Sequence, residues 1–272
     1  MVKKLFKHEF LSLLRLMLPV ECAVLGAGIL VKLMTLFETE NFIFEAILVF
    51  AFLIMVVAVS AGNVAAVIFG VIRFYKNLFS TEGYLSFTLP VTPAQHIIVK
   101  AVTITVFEII AGIVAVISFC IATSGELLVE IFKLIYFLIE EAFVKLNPLH
   151  ISLFIVELII ALVVSVFSKY LLFYSCITIG QIASKYKILA AVGVYAAYSM
   201  ISGFISTVFN IVVAGMSMAF EDFSVKIGNF IEVHPYFCIH TVFLGAIIIG
   251  AIIASIFFLI SNTIIKKKLN LE

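Results

Sequence analysis

Long apolar runs, separated by short polar segments, dominate the pattern of this chain. Six of the runs reach about twenty residues, the length that an α-helix needs to cross a hydrocarbon core of about 30 Å. The pattern therefore predicts an all-α membrane protein with six transmembrane helices. We expect the spans at about residues 16–37, 46–72, 96–123, 151–177, 188–213 and 238–265.

Two further segments have the spacing of helices that lie on a membrane surface. Residues 1–15 place Phe6, Phe10 and Leu13 on one helical face and basic side chains on the other. This predicts an N-terminal amphipathic elbow helix, with a simple basic flank to the first span as the alternative. Residues 124–150 combine apolar positions at helical spacing with charged side chains, which predicts an amphipathic helix on the outer face.

Small residues recur at every fourth position in two of the spans. Such ladders let another helix approach closely. Either ordinary packing within the chain or a contact between subunits accounts for them. The members are Ala61, Gly62, Ala65, Ala66 and Gly70 in the second span and Ala246, Gly250 and Ala254 in the sixth.

The polar segment 73–100 connects spans two and three. It contains a break at Thr81-Glu82-Gly83 and then an aromatic stretch. Thr92 as N-cap, Pro93 at the first helical position and Gln95 three residues after the cap predict a capping box at the start of the next helix. We expect this loop to be held rigidly at a membrane face and to receive force from a second protein.

Composition supports a membrane protein and excludes several other classes. Hydrophobic residues make up 64% of the chain and charged residues 12%, against about 25% charged residues in soluble domains. We therefore predict one transmembrane domain over residues 1–272, surrounded by membrane lipids. A net charge of +1 argues against a nucleic-acid partner. The four cysteines form no C-x-x-C pair, so no disulfide framework is indicated.

Lysine and arginine fall unequally on the two sides of the predicted membrane. Because basic residues concentrate in cytosolic loops, the richer side is predicted to be cytosolic, and with it both termini and the 73–100 loop. That side holds Lys3, Lys4, Lys7, Arg15, Arg73, Lys76, Lys100, Lys185, Lys187, Lys266, Lys267 and Lys268, whereas the other side holds Lys32, Lys133, Lys145 and Lys226.

Common catalytic motifs are absent from the sequence. There is no G-x-x-x-x-G-K-[ST] phosphate loop, no H-E-x-x-H zinc helix and no G-x-S-x-G nucleophile elbow. We therefore predict a protein that is not an enzyme, hydrolyses no ATP by itself and holds no cofactor or metal. His96 and His240 lie near span ends and are interpreted as interfacial residues rather than metal ligands.

Glu21, Glu108, Glu157 and Lys169 lie within the predicted spans, where a charge near the bilayer centre costs about 2.5–3.5 kcal/mol. Glu108 and Glu157 reach similar depths when counted from opposite faces at about 1.5 Å per residue. They are candidate intramembrane sites, either as a proton-holding or cation-binding pair or as carboxyls bonded to hydroxyls within the bundle. Glu21 and Lys169 fall near the inner boundary, where an ion pair or snorkelling is expected.

Three stretches share features with a known family. Residues 7–19 read KHEFLSLLRLMLP, residues 75–91 read YKNLFSTEGYLSFTLPV, and Ile179-Gly180-Gln181 closes the fourth span. Together they resemble the elbow, the coupling loop and the end of span four in permease subunits of bacterial ABC-2-type ABC transporters. The long acidic segment 124–150 departs from the family pattern and leaves the substrate path open.

The resemblance implies a six-span half-transporter of the bacterial plasma membrane, acting as an exporter. It would pair with a second permease, identical or related, and with separate ATP-binding subunits that bind the ATP. By analogy, five loop residues would dock in a groove of the ATPase: Ser80, Thr81, Glu82, Gly83 and Tyr84.

Two other functions remain open at this level. A secondary transporter would use Glu108 and Glu157 as proton or ion sites, although such transporters often show paired broken helices or inverted repeats, and neither is evident here. A membrane sensor or assembly partner without transport is the third possibility. Co-purification of an ATP-binding protein would favour the permease over both.

Overall fold

The computed structural model describes residues 2–37, 41–80, 82–88, 90–126, 129–131, 133–134, 136–137, 148–183, 185–219 and 221–267. Over these ranges the regular structure is α-helical. The helices with defined ends are α1 (Val2–Thr35), α2 (Phe42–Phe79), α3 (Glu82–Thr88), α4 (Pro93–Ala122), α5 (Pro148–Gly180), α6 (Lys187–Ala219), α7 (Glu221–Val233) and α8 (Pro235–Lys267).

Six of these helices, α1, α2, α4, α5, α6 and α8, are long and apolar enough to cross a membrane. This confirms the predicted all-α protein with six helices that are long and apolar enough to cross a membrane. The helices are longer than the predicted spans because polar flanking turns continue the same hydrogen-bonding pattern. Helix α2, for example, extends beyond the predicted end at residue 72 to Phe79.

The N-terminal segment is not separated from the first span. Residues 2–35 form one helix that continues through Pro19, as spanning helices tolerate when neighbours satisfy the freed backbone group. The structure thus joins the predicted elbow and the first span. A position of residues 2–15 in the membrane interface stays a prediction.

The chain forms two compact units, Met1–Ile139 and Glu140–Glu272. In the first unit α1 packs most extensively against α4 and also against α2. Ser118 of α4 donates a hydrogen bond from Oγ to the carbonyl of Val24 at 2.9 Å. At the far end of these helices, Lys32 Nζ donates to Ser124 Oγ at 2.5 Å. The single-domain assignment stays a prediction.

The small-residue ladder of the second span packs inside this first unit. Gly62, Ala66 and Gly70 are all buried. A Cβ on Gly62 would lie 3.2 Å from a methyl group of Val24 on α1, so little more than a glycine fits there. Packing within the chain therefore accounts for Gly62, Ala66 and Gly70, whereas Ala61 is exposed.

In the second unit α5 packs most extensively against α8 and also against α6. Ser168 Oγ of α5 reaches the carbonyl of Gly250 on α8 at 3.0 Å, and Ala254 is buried. The ladder of the sixth span thus also serves packing within the chain. Most of the predicted outer helix 124–150 lies outside the described residues.

Candidate functional site

The segment between α2 and α4 ends at a well-defined N-terminal cap of α4. Thr92 Oγ1 accepts from the backbone N–H of Gln95 at 3.4 Å, and Gln95 Oε1 accepts from the backbone N–H of Thr92 at 3.0 Å. Pro93 occupies the first turn. The predicted capping box is therefore confirmed.

A short helix, α3, occupies the middle of the predicted loop. Its start is tied to α2, because the N–H of Gly83 donates to the carbonyl of Ser80 at 2.8 Å. Its middle is tied to α4, because the ring of His96 hydrogen-bonds to the backbone of Ser86. His96 is 2% exposed, so it is an internal side chain and not one that faces the membrane interface. Helix α3 is thus anchored to two spanning helices.

The five predicted coupling residues differ in how far their side chains are exposed. Tyr84 is 57% exposed, whereas Gly83 is buried and Ser80 half-buried. Ser80 bonds through its hydroxyl to the carbonyl of Lys76 and so closes α2. Thr81 and the side chain of Glu82 lie outside the described residues, although the backbone of Glu82 begins α3. Among the described side chains of this set, Tyr84 is the one available to a partner.

A buried carboxylate lies at the same end of the first unit. Glu9 of α1 is 4% exposed. Its Oε1 contacts Nζ of Lys100 on α4 at 2.5 Å, and its Oε2 contacts Nε of Arg73 on α2 at 2.6 Å. Asn77 donates to the same carboxylate at 3.5 Å, and Arg73 also donates to the hydroxyl of Ser12. We call Glu9, Arg73 and Lys100 the Glu9 cluster.

The Glu9 cluster joins three helices through one side chain. A buried ion survives only when opposite charges and hydrogen bonds replace its lost hydration. Here two cations from different helices meet both carboxylate oxygens, so neither α2 nor α4 can shift without separating charges. The sequence pattern marks Arg73 and Lys100 only as basic residues of the predicted cytosolic side. It does not identify their buried partner Glu9, a lone acid in a basic segment.

The two intramembrane candidates fall in different units. Glu108 is half-buried on α4 of the first unit. Glu157 lies on α5 of the second unit, where its Oε2 is 2.7 Å from Nδ1 of His240 on α8. Glu157 is therefore bonded to a histidine, a partner that neither predicted alternative included. That Glu108 and Glu157 are neighbours stays a prediction.

His240 also contacts a second histidine. Its Nε2 lies 3.3 Å from Nδ1 of His150 on α5, and Tyr236 stacks on the His150 ring with 4.2 Å between centroids. The sequence pattern predicts His240 to be an interfacial residue. In the structure it is the central member of a polar chain between α5 and α8.

Helix α6 exposes polar side chains along one face. Its described residues include none that is buried. Exposed hydroxyl and amide groups recur at helical spacing, and Asn210 satisfies only one donor locally, to the carbonyl of Ser206 at 2.8 Å. A polar face in hydrocarbon is costly unless water or another helix covers it. The face consists of Ser199, Ser202, Ser206 and Asn210.

The stretches that resemble ABC-2 permeases lie at helix ends. Residues 7–19 belong to α1, residues 75–91 include the end of α2 and all of α3, and Gly180 closes α5. A Cβ on Gly180 would lie 2.7 Å from the backbone nitrogen of Ala191 and 2.8 Å from the carbonyl of Lys187, so glycine permits the close approach of α6. Comparison with known proteins finds no family model, no curated protein and no solved structure that matches this chain.

Proposed function

We propose that this chain is the membrane-spanning permease subunit of an ATP-driven transporter, an exporter, powered by a separate ATP-binding subunit. The observation that carries the proposal is α3: a short helix between two spanning helices, bonded to both, with Tyr84 exposed. An isolated seven-residue helix would not be stable by itself. Its anchoring therefore supports a docking element that transmits force.

The Glu9 cluster would transmit that force to a third helix. A push on α3 acts on α2 and α4 directly, and the bonds of Glu9 to Arg73 and Lys100 extend it to α1. Packed and ion-paired helices move as bodies rather than bending gradually. A partner that displaces α3 would thus move three spanning helices together.

A second permease subunit is part of the proposal. The polar face of α6 needs a partner helix or an aqueous path. A dimer of permeases supplies both, because two such faces would enclose a polar route across the bilayer. The second permease is either another copy of this chain or a relative, and the ATP binds to the ATP-binding subunit.

We place the complex in a bacterial plasma membrane with both termini in the cytosol. Cysteine labelling in intact cells tests this topology, starting from a variant in which the four native cysteines are replaced. A cysteine at Lys267 should stay shielded from an impermeant reagent, whereas one at Lys226 should react. Ready labelling at Lys267 would overturn the orientation.

Replacing Tyr84 by alanine is expected to prevent co-purification of the ATP-binding subunit. Exposed tyrosines at the centre of an interface often contribute about 2 kcal/mol or more to binding, and the phenol makes no buried contact that the fold needs. The measurement is a detergent pull-down of the tagged chain, with the ATP-binding subunit quantified beside it. Membrane insertion should be unchanged.

Tyr136→Ala is the matched control. Tyr136 is 58% exposed, nearly the same as Tyr84, but it belongs to the segment predicted on the outer face.

Two further variants change α3 itself. Gly83→Pro should act like Tyr84→Ala because it removes the N–H that bonds to Ser80, and Glu82→Arg should reverse a charge at the start of α3. Normal ATPase recovery with all three α3 variants would remove the docking role.

A proton-coupled secondary transporter is the second candidate, favoured by the contact between Glu157 and His240. This function requires no ATP-binding subunit and no docking surface on α3. Pull-downs from native membranes that recover no ATP-binding protein, together with transport that survives ATP depletion, would favour it over the permease.

A further inference from the structure

Three side chains form an unbroken polar chain across the contact between α5 and α8. Glu157 Oε2 lies 2.7 Å from His240 Nδ1, and His240 Nε2 lies 3.3 Å from His150 Nδ1. The ring centroids of the two histidines are 5.6 Å apart, close to the N···N separation plus the two ring radii. The facing nitrogens therefore point at each other, as in an N–H···N hydrogen bond.

Each ring is held by a neighbour that lies outside this N···N contact. The carboxylate of Glu157 orients His240, and the Tyr236 ring lies nearly parallel to His150, with 12° between the planes. All hydrogen bonds of His150, Glu157 and His240 given by the structure lie within the α5 and α8 pair. The titratable side chains described on α6 and α7, which take no part in them, are Lys187, Tyr195, Tyr198 and Lys226, and His234 between α7 and α8 takes no part either.

The hydrogen-bonding chemistry fixes where protons can reside. A carboxylate accepts only, so His240 Nδ1 carries a hydrogen and its Nε2 is the atom that shares a proton with His150. One hydrogen occupies the N···N contact. One further proton can enter at the outer nitrogen of His150, and the shared proton can then move to His240 without any change in the heavy atoms.

A second added proton has a different consequence. When this proton binds a ring and Glu157 stays ionised, both facing nitrogens carry hydrogens and both rings a positive charge, so the N···N bond is lost and the rings repel. The contact thus accommodates one extra proton and is broken by two.

A metal ion explains the geometry less well than a proton. Two imidazoles that share a tetrahedral ion approach it at an angle, whereas these rings lie end to end. Among the described residues, no group of three or more His, Cys, Asp or Glu side chains could hold an ion.

We infer that Glu157, His240 and His150 form a proton-binding relay: the contact between α5 and α8 holds one transferable proton and opens when a second is bound. This site is independent of the docking role proposed for α3. Acidification on that side of the membrane would then separate α5 from α8 at this end.

Nitrogen-15 NMR of histidine in the full-length chain, reconstituted in lipid bilayers, tests the relay. The chain has five histidines, so the ring signals can be assigned with single variants. We expect a coupling across the hydrogen bond between His150 Nδ1 and His240 Nε2 near neutral pH. It should persist after the first added proton and disappear with the second, since interacting sites titrate as a pair.

Two substitutions of Glu157 separate the relay from simple packing. Glu157→Leu removes the acceptor, so His240 should shift from the Nδ1–H to the Nε2–H tautomer. Glu157→Gln keeps an accepting oxygen and should retain the Nδ1–H form. His234→Gln, a histidine outside the relay, should leave both signals unchanged.

The wild-type spectra alone can overturn the inference if a variant does not fold. Absence of the N···N coupling at every pH, or single independent titrations of the two rings, would show that no proton is shared. Retention of the Nδ1–H tautomer in a folded Glu157→Leu chain would show that the carboxylate does not orient the relay.

Discussion

Glu9→Ala is expected to lower the free energy of unfolding of the first unit by about 3–5 kcal/mol, the usual cost of removing one partner from a buried ion pair. The substitution leaves Arg73 and Lys100 close together without the carboxylate that separates their charges. Both cations lose hydrogen bonds at 2.6 and 2.5 Å. Three helices are joined at this point, so the loss of these bonds should destabilise the whole unit.

Thermal unfolding in detergent, followed by the reaction of a thiol dye with Cys120 as the sole cysteine, measures this effect. Cys120 is half-buried on α4, so its exposure reports on the first unit. Glu45→Ala is the control because Glu45 is exposed on α2 and should shift the midpoint little. An unchanged midpoint for Glu9→Ala would show that the cluster does not hold the helices.

The neighbouring cation provides a stricter check. If the charge imbalance causes the loss, adding Lys100→Met to Glu9→Ala should restore part of the stability, because the second substitution removes a buried charge left without its carboxylate. Simple loss of packing would instead make the double variant less stable than either single variant. The sign of this coupling energy therefore distinguishes the two causes.

Local signals in the sequence were sufficient to predict the six long helices and the N-terminal cap of α4. Each span depends on about twenty neighbouring residues, and the capping box depends on Thr92, Pro93 and Gln95 alone. The same local pattern underestimated helix length, because Arg73, Lys76 and Asn77 are polar and yet continue α2. Helix α3 was interpreted as loop since Gly83 lies in its first turn.

The polar clusters could not be predicted from local patterns. Glu9 meets partners 64 and 91 positions away along the chain, and Glu157 meets His240 across 83 positions. Only helix packing brings these residues together. A charge inside a span did mark Glu157 correctly as a residue that requires a partner, but it did not identify the histidine. Long-range pairing is thus the part that required the structure.

Gly28→Ala is expected to destabilise the first unit by roughly 1–3 kcal/mol or more, as overpacking of a well-packed contact does. A Cβ at this position would lie 2.6 Å from the backbone carbonyl oxygen of Ser118 and closer still to its hydroxyl. Backbone atoms cannot move aside as a flexible side chain does. Helices α1 and α4 must separate here, which also strains the bond from Ser118 to Val24.

Gly112→Ala on α4 is the matched control, because a Cβ there meets no atom within 4 Å. Since alanine favours a helix over glycine by up to about 1 kcal/mol, this variant should be neutral or slightly more stable. The Cys120 dye assay compares the two variants in the same detergent. Because Gly28 and the Glu9 cluster both hold α1 against α4 but lie five helical turns apart, their effects should add when combined. Equal stability of Gly28→Ala and Gly112→Ala would mean that α1 and α4 do not approach as closely as the structure shows.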